Sequence, residues 1–418
     1  MTSVPPGDGS AFASFRFRDF RLYQAARLLS VIGLQMQTVA VGWQVYALTH
    51  SPLQLGYVGL VQFLPAVGFA LLTGDAADRF DRRNLLGLSS LLLTLGGVML
   101  WIFSFQAMAP LLGIYFAATV VGTARAISSP AGQALVPNLV PIEFFPNAVA
   151  WSSSIWQVST AVGPAIGGLV YALSGSPRGV YGCTVVLELL TTCLYFNIRT
   201  RSRGTPKTEG YWHRLSAGIR YVWRHKAILG AISLDLFAVL FGGAVALLPV
   251  FASDILHVGP SGLGWLRSAP SLGAVLMALI LAKKPVERHA GRTLFSCVAL
   301  FGLSMIAFGL SRNFWLSLAL LTFSGAVDMV SVVMRHTLVQ LHTPDDMRGR
   351  VGAVSLIFVG ASNELGEFES GITASAFGTV PSVALGGLAT LAVVLIWSRL
   401  FPTLRQVDRL HATHAEHA

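Results

Sequence analysis

The stretch DRFDRRNLLGLSSLLLTLGGVMLWIFSF, residues 78–105, sets Arg79, Arg82 and Arg83 immediately before 22 residues that carry no charge. A run of about 20 mostly apolar residues crosses the hydrocarbon core of a bilayer as an α-helix, and clustered Lys and Arg beside it mark the cytoplasmic end. The rest of the chain has the same character. Of 418 residues 54% are hydrophobic and only 11% charged, and the mean hydropathy is +0.65. Soluble domains are typically about a quarter charged. At roughly 20 apolar residues per span, this supply furnishes about eleven or twelve membrane helices, which argues against a cytosolic enzyme.

Outward from that stretch, apolar runs long enough to span lie at 22–48, 53–74, 84–105, 109–131, 145–173 and 179–198, then at 228–252, 260–282, 293–311, 314–340, 351–377 and 380–401. With both termini in the cytoplasm, 24 of the 29 Lys and Arg fall in inward-facing segments, and only Arg178 and Arg312 fall in outward loops. The positive-inside rule therefore fixes the orientation, and the net charge of +10 reflects topology rather than a nucleic-acid partner. The expected class is an all-α polytopic membrane protein of twelve transmembrane helices in two six-helix bundles. Residues 1–198 form the first bundle, 199–227 a cytoplasmic linker, 228–401 the second bundle and 402–418 a cytoplasmic tail. Within the linker, Tyr211 to Trp223 (YWHRLSAGIRYVW) mixes aromatics and cations at helical spacing. It reads either as a helix lying at the headgroup level or as a solvated linker helix. The N-terminus lacks the pattern of a removable signal peptide. Cys183, Cys193 and Cys297 sit in apolar stretches without metal-ligand spacing, so no disulfide framework and no metal site are expected. The histidines of the tail, His411, His414 and His417, read as part of a polar end.

The two halves align on each other. An offset of 203 carries Gly122 to Gly325, Ser128 to Ser331, Pro141 to Pro344, Gly163 to Gly366 and Gly168 to Gly371. Near the second span of each half, Pro52 and Gly56 answer to Pro260 and Gly264, and Pro65 and Gly68 to Pro270 and Gly273. A duplicated, pseudo-symmetric bundle places its substrate site at the interface near the bilayer midplane, where the halves rock against each other.

Nine ionisable residues fall within the spans: Arg125, Glu188, Asp235, Arg267, Asp328, Arg335, Glu364, Glu367 and Glu369. At roughly 2.5 to 3.5 kcal/mol each, facing all nine to lipid would cost about 22 to 32 kcal/mol, more than the typical net stability of a fold. They must face water or one another. Some serve as ion-pair staples in the bland reading, and Glu188 stands alone. The densest cluster is Ser362-Asn363-Glu364-Leu365-Gly366-Glu367-Phe368-Glu369-Ser370-Gly371. Asn363, Glu364 and Glu367 share a helical face, with Glu369 off it. Two close carboxylates in a low dielectric do not both ionise easily, which qualifies one as a proton carrier. Arg125 and Asp328, equivalent in the repeat and opposite in charge, are positioned to pair in one conformation and separate in another.

These residues resemble the major facilitator superfamily. The loop Gly74-Asp75-Ala76-Ala77-Asp78-Arg79-Phe80-Asp81-Arg82-Arg83 is similar to its G-x-x-x-D-R-x-G-R-R signature, with Asp81 where glycine is usual; Asp also visits left-handed backbone. In the family this loop clamps the cytoplasmic side of the outward-open state, a role the resemblance gives to Gly74, Asp78, Arg79, Arg82 and Arg83. The second-half counterpart around Glu287-Arg288 and Gly291-Arg292 is weaker. Gly163-Pro164-Ala165-Ile166-Gly167-Gly168 matches the G-P-x-x-G-G core of the antiporter motif, found mainly in exporters; its proline frees a carbonyl and its glycines permit a bend or tight seam. Closer similarity to the enterobactin exporter branch runs through Leu240 to Pro249, Leu266 to Pro270, Asp328 to Arg335, Thr343 to Arg350 and the Ser362 to Gly371 cluster.

The resemblance implies a major facilitator fold and proton-coupled export of a small amphipathic molecule, a siderophore or a drug-like compound, across the bacterial inner membrane by alternating access. Glu364, Glu367, Asp235 and Asp328 are the candidates for proton or cation coupling. Arg125, Arg267, Arg335, Asn363, Gln37, Trp43, Gln44 and Trp156 are the candidates for the substrate cavity, and Gly163, Pro164, Gly167 and Gly168 join the signature loop as the conformational gate. Small-molecule substrate, protons and the lipid bilayer are the expected partners of a monomer that needs no cofactor. An importer or lipid flippase of the same fold is the alternative, and a channel or receptor the alternative from another class. No H-E-x-x-H, G-x-S-x-G or phosphate-binding glycine loop speaks for an enzyme or for direct ATP coupling.

Overall fold

The computed structural model describes residues 11–105, 110–202, 211–284, 286 and 289–407. It is helical throughout, without a strand among the described residues. In chain order the helices are α1 (Arg18–Thr49), α2 (Pro52–Arg79), α3 (Arg82–Phe103), α4 (Pro110–Leu135), α5 (Phe145–Ser174), α6 (Pro177–Phe196) and α7 (Tyr211–Arg224). After these come α8 (Lys226–Gly242), α9 (Leu248–Val250), α10 (Gly259–Lys283), α11 (Ala290–Leu310), α12 (Phe314–Leu341), α13 (Asp345–Phe377), α14 (Thr379–Leu400) and α15 (Pro402–Arg405). Ten candidate spans combine length with sufficient hydropathy among the described residues. The expected fifth and eleventh spans are α5 and α13, which at 30 and 33 residues are long enough but fall outside those ten. For α13 the charged cluster explains it, and for α5 the run of Ser, Gln and Gly.

Local chemistry sets the ends. Asn313 caps α12 through a hydrogen bond from Leu316 N at 3.1 Å, and Ser176 caps α6 with Pro177 at the first helical position. Gly175 ends α5 in left-handed backbone, φ 61°. Asp81 behaves differently from the expectation that it takes a left-handed place. Its backbone is extended, φ −64° and ψ 117°, and its carboxylate accepts from Arg83 N at 3.1 Å as the N-cap of α3. An acidic cap also suits the positive end of the helix dipole.

The chain divides into two compact units, Met1–Val41 with Leu64–Thr208, and Gly42–Phe63 with Glu209–Ala418. In the first, Phe20, Tyr23, Leu86, Leu135, Tyr195 and Ile198 bury a core shared by α1, α3, α4 and α6. Hydroxyls staple the helices: Ser89 Oγ donates to Ala124 O at 2.8 Å, and Gln24 Nε2 to Ser152 Oγ at 2.6 Å. In the second, Leu234, Leu294, Phe295, Met334 and Val393 join α8, α11, α12 and α14. Small residues bring backbones together in both. A Cβ on Gly167 of α5 would lie 2.6 Å from Met36 Cα of α1, and one on Gly325 of α12 would overlap Pro270 O of α10.

One element departs from the sequence reading, and a second shows a packing that the sequence left open. The seventh expected span, 228–252, is not one helix. After α8 the chain leaves helical geometry at Gly243 (ψ 102°), turns through Val245–Leu247, restarts at Pro249 in α9 and closes in a π-helical turn, Phe251–Ile255. Paired glycines followed by a proline make continuous helix costly there, and Ser370 Oγ donates to the freed Gly243 O at 2.8 Å. The linker helix α7 turns its Leu215 and buried Val222 against the start of α13, with Val351 and Val354, so one of its faces is spent on protein.

Candidate functional site

The broken seventh span organises the second unit. Beside it lie the C-terminal end of α1 and the first turns of α2, which belong to this unit. Gly42 abuts Pro249, and Tyr46 donates its hydroxyl proton to the Asp254 carboxylate in the π-helical turn. Glycines on α2 admit α13. A Cβ on Gly56 would meet the Phe368 backbone at 3.2 Å, and one on Gly59 would meet Glu367 Oε2 at 2.8 Å. Glu367 therefore lies directly on the α2 backbone. Arg267 of α10 stands in the electrostatic field of Glu367, with one guanidinium nitrogen 3.9 Å from where a Gly42 Cβ would be. Its Nε is buried and has no hydrogen-bond acceptor among the described residues. The result is a half-buried arginine whose enclosed Nε leaves donor capacity unspent, in the field of one carboxylate. Glu364, one turn earlier on α13, is half-buried, and its carbonyl lies against the same glycine, Gly59. Asn363 is exposed and donates to Val359 O at 2.9 Å. Trp43 and Gln44 are half-buried on the same C-terminal part of α1.

Deeper in this unit, Asp235 of α8 and Arg335 of α12 form an ion pair with side chains 9% and 5% exposed. Asp235 also lines a small cavity between α8, α11 and α12, together with Cys297, Asp328 and Ser331. That space has room for about one water molecule. Asp235 and Asp328, both coupling candidates, thus share one cavity, and Arg335, a substrate candidate from sequence, belongs with them instead of with Arg267.

In the first unit, Glu188 does not stand alone. It is 1% exposed and accepts hydrogen bonds from Ser30 Oγ at 2.8 Å and Ser90 Oγ at 3.0 Å. Gln37 is buried beside Gly97 of α3, Trp156 is exposed with Arg27 5.7 Å over its ring, and Arg125 is exposed on α4. The signature loop works as a tie. Arg82 donates to Ala134 O at 2.8 Å and Ser202 Oγ at 3.0 Å, and Arg83 donates to Ile198 O at 2.7 Å. These cations take up carbonyls at the C-terminal ends of α4 and beyond α6, where the dipole is negative. Gly74 is half-buried and Arg79 exposed, while the Asp78 side chain lies outside the described residues, as do Glu287, Arg288 and the histidine tail. On α5 the seam of Gly163 and Gly167 packs on residues 32–36 of α1 around Pro164.

Sequence reasoning passed over Tyr46, Asp254, Gly42, Gly59 and Cys297. Asp254 fell two residues beyond the expected span, and the others carry no charge that a hydropathy argument would flag. The Pro249 signal beside Gly242 and Gly243 was the one readable pointer to the broken helix, since interrupted spans mark transporter sites.

A profile described as transmembrane secretion effector matches residues 9–417. The staphyloferrin A transporter of Staphylococcus aureus is 23% identical over 389 residues, covering 90% of this chain and 95% of that protein. The enterobactin exporter EntS of Escherichia coli is 27% identical over 337 residues, 80% of each. Among solved structures, a bacterial homologue of the lysosomal transporter Spinster, inward-facing and unoccupied, superposes with a TM-score of 0.72 at 14% identity over 96% of this chain and 97% of that one.

Proposed function

This chain belongs to the transmembrane secretion effectors of the major facilitator superfamily, and from that premise we propose that it is a proton-coupled exporter of a small, amphipathic and anionic cargo of the siderophore class. It is a multi-pass transporter of a small molecule rather than an enzyme in this reading, and it works as a monomer by alternating access in the bacterial inner membrane, both termini cytoplasmic. The observation that carries the proposal is Arg267. The residue is half-buried in the field of Glu367, with its enclosed Nε unspent, and a cation in a membrane span without full compensation is costly unless a second anion completes it. A carboxylate or catecholate cargo supplies that anion. Cargo and ionised Glu367 then compete for one cation, so the protonation state of Glu367 and the occupancy of Arg267 are linked, and that link needs no further cofactor. Glu364 extends the same face, and Asp235 and Asp328 form a second proton-handling group around their shared cavity.

The relatives lend support to the cargo class, since one is named for enterobactin and another for staphyloferrin A. The test is uptake of siderophores and of drug-like compounds into inverted vesicles under an imposed pH gradient, with Glu364→Gln and Glu367→Gln variants. Gradient-driven siderophore uptake that Glu367→Gln uncouples supports the reading. Accumulation unchanged by either substitution overturns the proton assignment, and uptake of drug-like compounds alone overturns the cargo class.

A further inference from the structure

The linker helix α7 has more faces than its packing uses. One face is covered by protein. Val222 is 1% exposed, Leu215 packs with Val351 and Val354, and a Cβ on Gly218 would come 2.6 Å from Arg350 O. Tyr221 Oη donates to His342 O at 3.1 Å and pins the helix to the end of α12. Beside that seam stand two large apolar side chains one turn apart, Ile219 at 39% and Trp223 at 67% exposure. Further round come Arg220 and Arg224, again one turn apart and both exposed. Neither is held by an ion pair or hydrogen bond among the described residues.

This order of protein seam, apolar edge and cationic edge is what a helix resting on a charged membrane surface requires: the Trp and Ile edge enters the boundary and the guanidinium groups meet headgroups. Chain connectivity places it there. Trp223 precedes by three residues Lys226, where the next candidate span begins, so its backbone lies within about 11 Å of the span's end, inside the zone of headgroups and interface that surrounds a hydrocarbon core of about 30 Å. The end in question is cytoplasmic by the distribution of Lys and Arg, and the cytoplasmic leaflet carries anionic lipid. We infer that the Ile219, Arg220, Trp223 and Arg224 edge of α7 is a docking surface for anionic phospholipid headgroups. Because the opposite face of α7 is packed on the start of α13, bound lipid holds the cytoplasmic end of the helix that carries Glu364 and Glu367. The inference stands whatever the cargo or the coupling ion.

The test uses the full chain with Cys183 and Cys193 replaced by Ser and a spin label at Ile219→Cys, reconstituted in phosphatidylcholine alone or mixed with phosphatidylglycerol. The label is expected to be more accessible to oxygen than to a water-soluble nickel chelate, and to lose mobility as phosphatidylglycerol is added. Arg220→Gln with Arg224→Gln is expected to remove the phosphatidylglycerol response, and Arg220→Lys with Arg224→Lys to keep it. A label that reads as fully aqueous in both lipids overturns the inference. So does a response that survives the double Gln variant, or one that the double Lys variant abolishes while α7 remains packed by the label's own spectrum in phosphatidylcholine.

Discussion

Asp235 of α8 and Arg335 of α12, far apart in sequence, meet as a buried pair, so each is the other's main compensation for leaving water. Removing one partner of such a pair typically costs about 3 to 5 kcal/mol, because the survivor is left charged and alone, whereas removing both can approach neutrality. Asp235→Asn and Arg335→Gln are therefore each expected to lower thermal stability strongly in detergent, and the double variant to recover most of the loss. Equal or greater loss in the double variant would show that the pair is not the unit. Tyr46 and Asp254 make a second polar contact, a hydrogen bond to an exposed carboxylate that ties the C-terminal end of α1 to the π-helical turn. A hydrogen bond to a charged group is worth about 1.5 to 3 kcal/mol, and with Asp254 exposed the low end applies, so Tyr46→Phe is expected to raise the modification rate of a cysteine at the fully buried Val45 by about tenfold. An unchanged rate would mean that apolar packing alone holds the contact. That charges in the spans need compensation was legible from the cost of charge in hydrocarbon, although Arg125 stands exposed on α4. Which of them pair was not, because partners far apart in sequence leave no mark on local periodicity.

At the level of elements, α5 illustrates how a motif becomes geometry. Gly167 is where the Met36 backbone of α1 passes, and a methyl there must displace main chain instead of a flexible side chain. Gly167→Ala is expected to destabilise the first unit by about 1 to 3 kcal/mol, read as a lower unfolding midpoint. Gly68→Ala, where a Cβ meets nothing within 4 Å, is expected to be neutral or to gain a few tenths of a kcal/mol or more from helix propensity. Equal effects would remove the close approach as the explanation. The antiporter-like glycines were readable as a seam, but the helix they face was not. The seventh span shows the reverse: its paired glycines and proline were visible, and a hydropathy window still smoothed over them. Asp81 was readable as a departure from a signature, and only its backbone angles revealed a helix cap.

For the molecule as a whole, the expected energetics can be checked against a gradient. One charge moved down 100 mV yields about 2.3 kcal/mol, which supports roughly fifty-fold accumulation. Cargo accumulation in inverted vesicles is expected to approach that ceiling per charge moved and to collapse on adding a protonophore. Persistence without a gradient would remove proton coupling. Composition, the twelve apolar runs, the placement of Lys and Arg and the internal repeat were sufficient for the fold class, because hydrocarbon thickness and backbone hydrogen bonding leave helices of one length as the solution and the charge bias orients them. The tertiary structure alone decided that Glu367 lies on Gly59 in the field of Arg267, that Asp235 takes Arg335, and that α7 spends only one face on protein. Spans are determined by local composition meeting a uniform solvent. Partners are determined by which helices pack side by side, and that depends on the shapes of residues far apart along the chain.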